Sequence, residues 1–293
     1  MTSAVTTTRI SRCADMLGES PVWDHRQGRL YWVDSVSRLV RFLDHASGQT
    51  GQLELPSVIG SVALCRDPGQ LIAGLQDGIY RVDLADGGVV PVCRPDPAND
   101  RVRFNDGKVD RQGRFVCGSM GIHAEPLGEL IRVSADGGIT RLATGIRIAN
   151  AICFSPDGGT MYFADSLDCT IRACSYSPGP RPPGRPRLHV DTRPFGSGPD
   201  GATVDSDGFL WVALVGAGKI GRFAPDGRLD RLLEAPVDMP SCVAFGGPGM
   251  ATLYVTSIRD SGTGRAISHH PLGGHLFAVD GLGVTGIPEP CYG

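Results

Sequence analysis

Short apolar strands separated by turns that contain Asp and Gly recur along the whole chain. The strongest share the β-type pattern of GRLYWVDS and begin near residues 28, 69, 113, 159, 208 and 251. Between them, the pattern does not favour amphipathic helices of a dozen residues. The hydrophobic periodicity therefore predicts an all-β protein built from a repeated unit.

Each repeated unit combines three predicted strands with one characteristic turn. A first strand such as GATVD leads through a D-x-x-G turn into the apolar strand, and a third strand such as GKIGRF follows. Asp and Gly suit such turns because Gly tolerates positive φ and the Asp side chain accepts hydrogen bonds from the turn backbone. The units are therefore expected to form small antiparallel sheets in tandem.

The spacing of the units predicts a propeller. They recur about 40 to 50 residues apart, which is the period of propeller blades. Six units account for residues 1–293 as one domain, a six-bladed β-propeller with four-stranded antiparallel blades. A pair of β-sandwiches or a β-helix is the alternative. The segment TTRISRC is expected to close the ring onto the last blade, and SPGPRPPGRPRLH at 177–189 to be a surface loop of the fourth blade.

The composition of the chain argues against several classes of binding partner. With 41% hydrophobic residues, 20% charged residues and a net charge of -3, the chain lacks the basic field that attracts nucleic acid or anionic lipid. No apolar run approaches the roughly 20 residues of a membrane helix, and no export signal is evident. Nine cysteines without a C-x-x-C pair favour reduced thiols. We expect a cytoplasmic protein that acts on a small neutral or acidic ligand.

Polar residues stand before four of the predicted first strands. They occur in LGESPVWD, RFNDGKVD, IANAICFSPD and GPDGATVD, at Glu19, Arg103, Asn105, Asn150 and Asp200. Each alone is typical of a turn. In a propeller, however, the innermost strands line the central channel, so equivalent positions converge at its mouth. Glu19, Asn150 and Asp200 together offer three oxygen ligands, which suit a hard divalent cation.

The same four motifs resemble those of the senescence marker protein/gluconolactonase family, the regucalcin-like sugar lactonases. The similarity runs from about Leu17 to Ala278, and the motifs arrive in the family's order. The resemblance implies a six-bladed propeller that hydrolyses aldonolactones to aldonic acids. It also implies one divalent metal, with Glu19, Asn150 and Asp200 as its ligands.

The resemblance implies substrate contacts as well. Arg103 and Asn105 match the family's substrate-contacting positions, and Asp200 is also the candidate general base. Three positions past the Met of GSM, where several members have a substrate-contacting glutamate, this chain has His123. We therefore expect His123 to contact the substrate, unless a differently threaded loop brings Glu125 there. The sugar preference of those members is not carried over.

Lactone hydrolysis requires a polarised carbonyl and an attacking water. A bound Ca²⁺, Mn²⁺, Mg²⁺, Zn²⁺ or Fe²⁺ would supply Lewis acidity and lower the pKa of water, and Asp200 would accept a proton. The expected substrate is a glucono-, galactono-, arabinono- or xylono-type lactone. Two alternatives stay open: a metal-dependent hydrolase of organophosphates or other esters, and a non-catalytic calcium-binding propeller.

Overall fold

The computed structural model describes residues 4–94, 99–179 and 181–293, and these contain 24 β-strands and no α-helix. The strands form six four-stranded antiparallel sheets. The first strand of each sheet contacts the first strands of the two neighbouring sheets in cyclic order, so the sheets surround a central channel. This confirms the predicted six-bladed β-propeller. None of the described segments is a helix long and apolar enough to cross a membrane.

The first three blades use consecutive strands, numbered from the innermost outwards. Blade 1 contains β2 (Gly18–Asp24), β3 (Arg29–Asp34), β4 (Leu39–Asp44) and β5 (Thr50–Glu54). Blade 2 contains β6 (Ile59–Leu64), β7 (Gln70–Leu75), β8 (Ile79–Asp83) and β9 (Val89–Cys93). Blade 3 contains β10 (Val102–Val109), β11 (Phe115–Gly121), β12 (Gly128–Val133) and β13 (Ile139–Ile146).

The remaining blades follow the same order, except that the last one also uses the first strand of the chain. Blade 4 contains β14 (Ala149–Phe154), β15 (Thr160–Asp165), β16 (Thr170–Ser175) and β17 (Arg187–Asp191). Blade 5 contains β18 (Gly198–Val204), β19 (Leu210–Val215), β20 (Lys219–Phe223) and β21 (Leu229–Glu234). Blade 6 contains β22 (Pro240–Gly246), β23 (Thr252–Ser257), β24 (Phe277–Asp280) and β1 (Thr6–Arg9). Single 3-10 turns lie at Ser166–Asp168, Arg193–Phe195 and Pro248–Met250.

Two expectations about irregular segments are confirmed with altered bounds. The polar N-terminal segment closes the ring, with Thr6 of β1 paired to Asp280 of β24. The Pro/Arg-rich segment connects β16 to β17 in blade 4, although its last three predicted loop residues, 187–189, already belong to β17. Position 180 of that segment lies outside the described residues.

The D-x-x-G turns join the first two strands of the blades at one end of the channel. In blade 3, the Gly113 N–H donates to the Asp110 carbonyl (3.0 Å), and the Asp110 carboxylate accepts from the backbone N–H groups of Gln112 and Arg114 (3.0 and 2.9 Å). Gly113 has a φ of 80°, which glycine adopts without strain. These contacts give the predicted hairpins their physical basis.

The C-terminal segment crosses the channel at this turn end. Gly286 pairs with Asp205 of blade 5, and the Tyr292 N–H donates to the Leu64 carbonyl of blade 2 (2.8 Å). Between these anchors, the Glu289 carboxylate lies 3.5 Å from the Lys108 Nζ. The far end of the channel is therefore covered by the chain's own tail.

Every innermost strand carries a shift in its pairing register near its start. The shift falls between Glu19 and Val22 in β2 and between Asn150 and Cys153 in β14, with equivalents in the other four innermost strands. A β-bulge adds an unpaired residue and redirects the neighbouring side chains. The polar residues that the sequence pattern placed before the first strands therefore lie inside those strands, at their bulges.

Candidate functional site

A cavity of about 290 Å³ opens at the end of the channel where the innermost strands begin. Five of the residues predicted from sequence line it: Glu19, Arg103, Asn105, Asn150 and Asp200. They come from blades 1, 3, 4 and 5, so the propeller brings together side chains that are far apart in sequence. The cavity is the meeting point of the four motifs.

Bulge geometry sets the direction of the three predicted metal ligands. Ser20 and Ala151, which directly follow Glu19 and Asn150, have φ values of 50° and 53°. Non-glycine residues rarely adopt this left-handed conformation, which costs roughly 1 kcal/mol or more and is often found at functional sites. Asp200 lies within the register shift of β18. The strand backbone is thus distorted where these ligands leave it.

A directional chain of hydrogen bonds orients the two asparagines. Arg103 Nη1 donates to Asn105 Oδ1 (2.8 Å), and Asn105 Nδ2 donates to Asn150 Oδ1 (3.2 Å). Asn150 Nδ2 donates to Ser166 Oγ (2.9 Å), which donates to the Pro199 carbonyl (2.8 Å). Because each donor fixes the next acceptor, the Asn150 amide has one orientation. Its Oδ1 accepts only one of these bonds and keeps a second lone pair.

Burial and mutual repulsion perturb the charged groups of the cavity. Desolvation raises the pKa of Glu19 well above its usual value, and the nearby Asp200 and Asp106 carboxylates raise it further. Desolvation and Asp106 likewise raise the pKa of Asp200. Burial lowers the pKa of Arg103 to about 10, although Glu19 and Asp200 favour its charged form. The site therefore concentrates negative charge that the protein compensates incompletely.

The donor set fits a hard divalent cation. The Glu19 carboxylate accepts from the Ser20 N–H (3.1 Å), and the Asp200 carboxylate accepts from the Gly201 N–H. Amide donors alone offset buried carboxylate charge poorly, whereas a divalent cation would offset both charges. No group of three or more His, Cys, Asp or Glu within the described ranges could hold a metal ion. With the two carboxylates, the neutral oxygen of Asn150 would complete a set of three protein oxygens for such a cation.

His123 does not belong to this group of side chains. It is exposed, and its backbone N–H donates to Glu125 Oε2 (2.9 Å), while Glu125 Oε1 pairs with Arg101 Nη2 (2.9 Å). Neither His123 nor Glu125 is among the described residues that line the cavity, and blade 3 contributes Met120 there instead. A substrate contact by His123 stays a prediction.

Sequence reasoning missed two residues that shape the site. Ser166 orients Asn150, and Arg265 lines the cavity from blade 6. Asp106, which belongs to the RFNDGKVD motif, is buried and raises the pKa values of Glu19 and Asp200. Ser166 had a detectable signal, because a serine also ends the matching strands of VDS at residue 35 and VTS at residue 257. Arg265 had none, since its connection has no counterpart in the other units.

Comparison with known proteins assigns the chain to a family. The model of the SMP-30/Gluconolactonase/LRE-like region matches residues 17–259. The chain belongs to this family. Within it, the protein is 34% identical to the 6-deoxy-6-sulfogluconolactonase of Pseudomonas putida, with 97% of each chain covered. It is 37% identical to the L-arabinolactonase of Azospirillum brasilense, covering 93% of this chain and 91% of that one.

A solved family structure has the same architecture. The calcium-binding protein regucalcin of Agrobacterium tumefaciens matches with a TM-score of 0.88 and 28% identity, over 97% of this chain and 96% of that chain. The match covers nearly the whole propeller, so the SMP-30/gluconolactonase/LRE-like protein described here shares the fold throughout its length.

Proposed function

We propose that this protein is a metal-dependent lactonase that hydrolyses a sugar lactone to the corresponding aldonic acid. The observation that carries the proposal is the pair of carboxylates, half-buried Glu19 and buried Asp200, beside the oriented amide of Asn150 in one cavity. The similarity to two lactonases over more than nine-tenths of the chain supports the reaction class.

The three ligands would hold the cation at the bottom of the cavity. A divalent ion bound by Glu19, Asn150 and Asp200 would supply Lewis acidity towards the lactone carbonyl and the attacking water. Asp200 is the proposed acceptor of the water's proton. Burial and the Asp106 carboxylate raise its pKa in the metal-free protein, whereas a bound cation would lower it, so Asp200 would be a weak base once metal is bound.

Arg103 and Asn105 are proposed to orient the lactone. Arg103 Nη1 is held by Asn105 Oδ1 and by the Phe104 carbonyl (2.9 Å). The other guanidinium N–H groups have no hydrogen-bond partner in the described part of the chain, so they are available to sugar oxygens. A fixed guanidinium supplies donors in a defined plane at little entropic cost.

We also propose which divalent ion to test first and in which cellular compartment the protein acts. Calcium is the first ion to test, because the similar Agrobacterium tumefaciens protein is a calcium-binding protein. Mn²⁺, Mg²⁺, Zn²⁺ and Fe²⁺ suit the same oxygen donors. A reducing compartment such as the cytoplasm is supported by the nine cysteines, all of which are free thiols.

The test is acid release from a panel of pentono- and hexono-lactones, followed with a pH indicator. Protein stripped with a chelator is assayed with single divalent ions added back. We expect metal-dependent release that Asp200→Asn abolishes. Asp86→Asn is the matched control, because Asp86 is exposed and accepts only a turn bond from the Gly88 N–H (2.7 Å). Release at the spontaneous rate with every ion would reject the proposal.

A further inference from the structure

A hairpin from blade 6 forms one wall of the cavity. This blade 6 hairpin, residues 260–267, lies in the connection between β23 and β24 and is closed by pairing of Asp260 with Ile267. The backbone N–H groups of Arg259 and Asp260 both donate to the Met16 carbonyl (3.0 and 2.9 Å), which ties the base of the hairpin to the segment before blade 1. The wall is therefore anchored at a fixed place.

Arg265 is the charged residue that this wall presents. Its side chain lines the cavity together with those of Ser261 and Thr263, and it is exposed to solvent. In the described part of the chain its guanidinium has no ion-pair or hydrogen-bond partner. All five of its N–H donors are therefore available to a ligand.

Arg265 and Arg103 reach the cavity from blades that face each other across the channel. In a ring of six blades, blade 6 faces blade 3 across the channel, and these two arginines come from those two blades. The walls between them are largely apolar and include Ile148, Leu167, Val215 and Ile258. A ligand in the cavity thus meets cationic donors from two different blades and a largely apolar surface besides.

The charge balance of the cavity favours an anion. Its charged lining consists of Glu19 and Asp200 against Arg103 and Arg265. The divalent cation of the proposed function would neutralise the two carboxylates, which leaves both arginines without counter-charge. A neutral sugar lactone would use Arg103 through its oxygens but would leave the charge of Arg265 unmatched.

We propose that Arg265 is a specificity residue that selects lactones carrying an oxyanion group, such as a carboxylate, sulfonate or phosphate, remote from the lactone carbonyl. This inference rests on the proposed lactonase function. The planar guanidinium fork matches such groups through two parallel hydrogen bonds. Because Arg265 is exposed, solvent screens the interaction, and its contribution lies near the lower end for charged hydrogen bonds, about tenfold in affinity.

The test compares lactones that differ in one substituent. D-glucono-1,4-lactone is paired with D-glucaro-1,4-lactone, D-glucono-1,5-lactone with its 6-phosphate, and the same 1,5-lactone with its 6-deoxy-6-sulfonate. Each pair is assayed with wild-type protein, Arg265→Gln and Arg259→Gln. Arg259 is a matched control: it is exposed at the base of the same hairpin but is not among the described cavity-lining residues. Melting temperatures verify that all three proteins are folded.

We expect the wild type to prefer at least one anionic partner, and the pair that shows it identifies the anion. Arg265→Gln should lower the anionic-to-neutral ratio of kcat/KM about tenfold, Arg259→Gln should preserve it, and added salt should weaken the preference. A wild type that favours the neutral lactone in every pair, or a ratio unaltered by Arg265→Gln, would overturn the inference and leave the lactonase standing.

Binding measurements test the role of Arg265 independently of lactone hydrolysis. If no lactone is hydrolysed above the spontaneous rate, the lactonase proposal fails, and calorimetric titration with gluconate and glucarate still tests Arg265. Tighter glucarate binding that Arg265→Gln abolishes would support an anion contact. Equal binding of the two acids to both proteins would refute it.

Discussion

Replacing Asp200 by Asn should stabilise the metal-free protein while removing its response to metal. Glu19 is half-buried and Asp200 is buried, and desolvation and nearby carboxylates raise the pKa values of both. Groups whose pKa is raised on folding destabilise the fold when they ionise, and this penalty is relieved as pH falls through the raised values. The metal-free wild type therefore carries its largest penalty at alkaline pH.

The size of this stabilisation follows from how far apart the Glu19 and Asp200 carboxylates can lie if both bind one ion. Two oxygens that bind one cation at about 2.4 Å lie at most about 5 Å apart. At that distance, two carboxylate charges repel by about 3 kcal/mol at an effective dielectric constant of about 20. For a domain of this size, 1 kcal/mol shifts the melting temperature by roughly 2 °C. The substitution should therefore raise the melting temperature of metal-free protein by about 6 °C, because the amide can still accept from the Gly201 N–H.

The assay is thermal unfolding at pH 8, in a chelator and in excess Ca²⁺, with wild type, Asp200→Asn and Asp86→Asn. Metal at about 100 times its Kd should stabilise the wild type and the control by about 2.7 kcal/mol and the Asp200 variant by much less. A variant that melts at or below the wild-type temperature in chelator would refute the reasoning, since it would show that the two carboxylates do not repel each other in the folded state.

Three other changes test the surroundings of the site. Ser166→Ala removes the hydroxyl that orients the Asn150 amide and should weaken metal affinity about tenfold, as measured by calorimetric titration; unaltered affinity would contradict this role. The two ring nitrogens of His189 are buried and have no hydrogen-bond partner among the residues that the structure describes. Burial lowers its pKa to about 4, so urea unfolding should show stability falling by about 3 kcal/mol as pH drops from about 6.5 to 4. His189→Phe should remove that part of the dependence, and an identical pH profile would refute it. Glu289→Gln leaves the half-buried Lys108 ammonium with a weaker partner and should lower the free energy of unfolding by about 2 kcal/mol at neutral pH. An unshifted urea midpoint would show that the pair adds no stability.

Most of the site could be predicted from sequence because its residues lie on the innermost strands. Glu19, Asn150 and Asp200 stand at matching places in a pattern that repeats blade by blade, so the fold alone requires them to converge. The bulges were not predictable, because a register shift depends on which residues pair across the sheet and not on local composition.

Residues outside the repeated strands were harder to place. Counting three positions from Met120 predicted that His123 contacts the substrate. In the structure, however, the loop turns at Ala124, which has a φ of 63°, and Glu125 pairs with Arg101. Arg265 lies in a connection that only blade 6 possesses. Loops follow their own turns and partners, so neither hydrophobic periodicity nor comparison between units fixes where their side chains lie.

The sharing of blade 6 between the two ends of the chain has a consequence for biosynthesis. β1 leaves the ribosome first, but its partner β24 is the last strand to be made. At about 5 to 20 residues per second, the nascent chain spends roughly 14 to 55 s with β1 unpaired. During that interval β1 lacks its native partner and can pair with strands of other molecules, so dense polysomes should favour aggregation, and a chaperone that covers the N-terminal segment should relieve it.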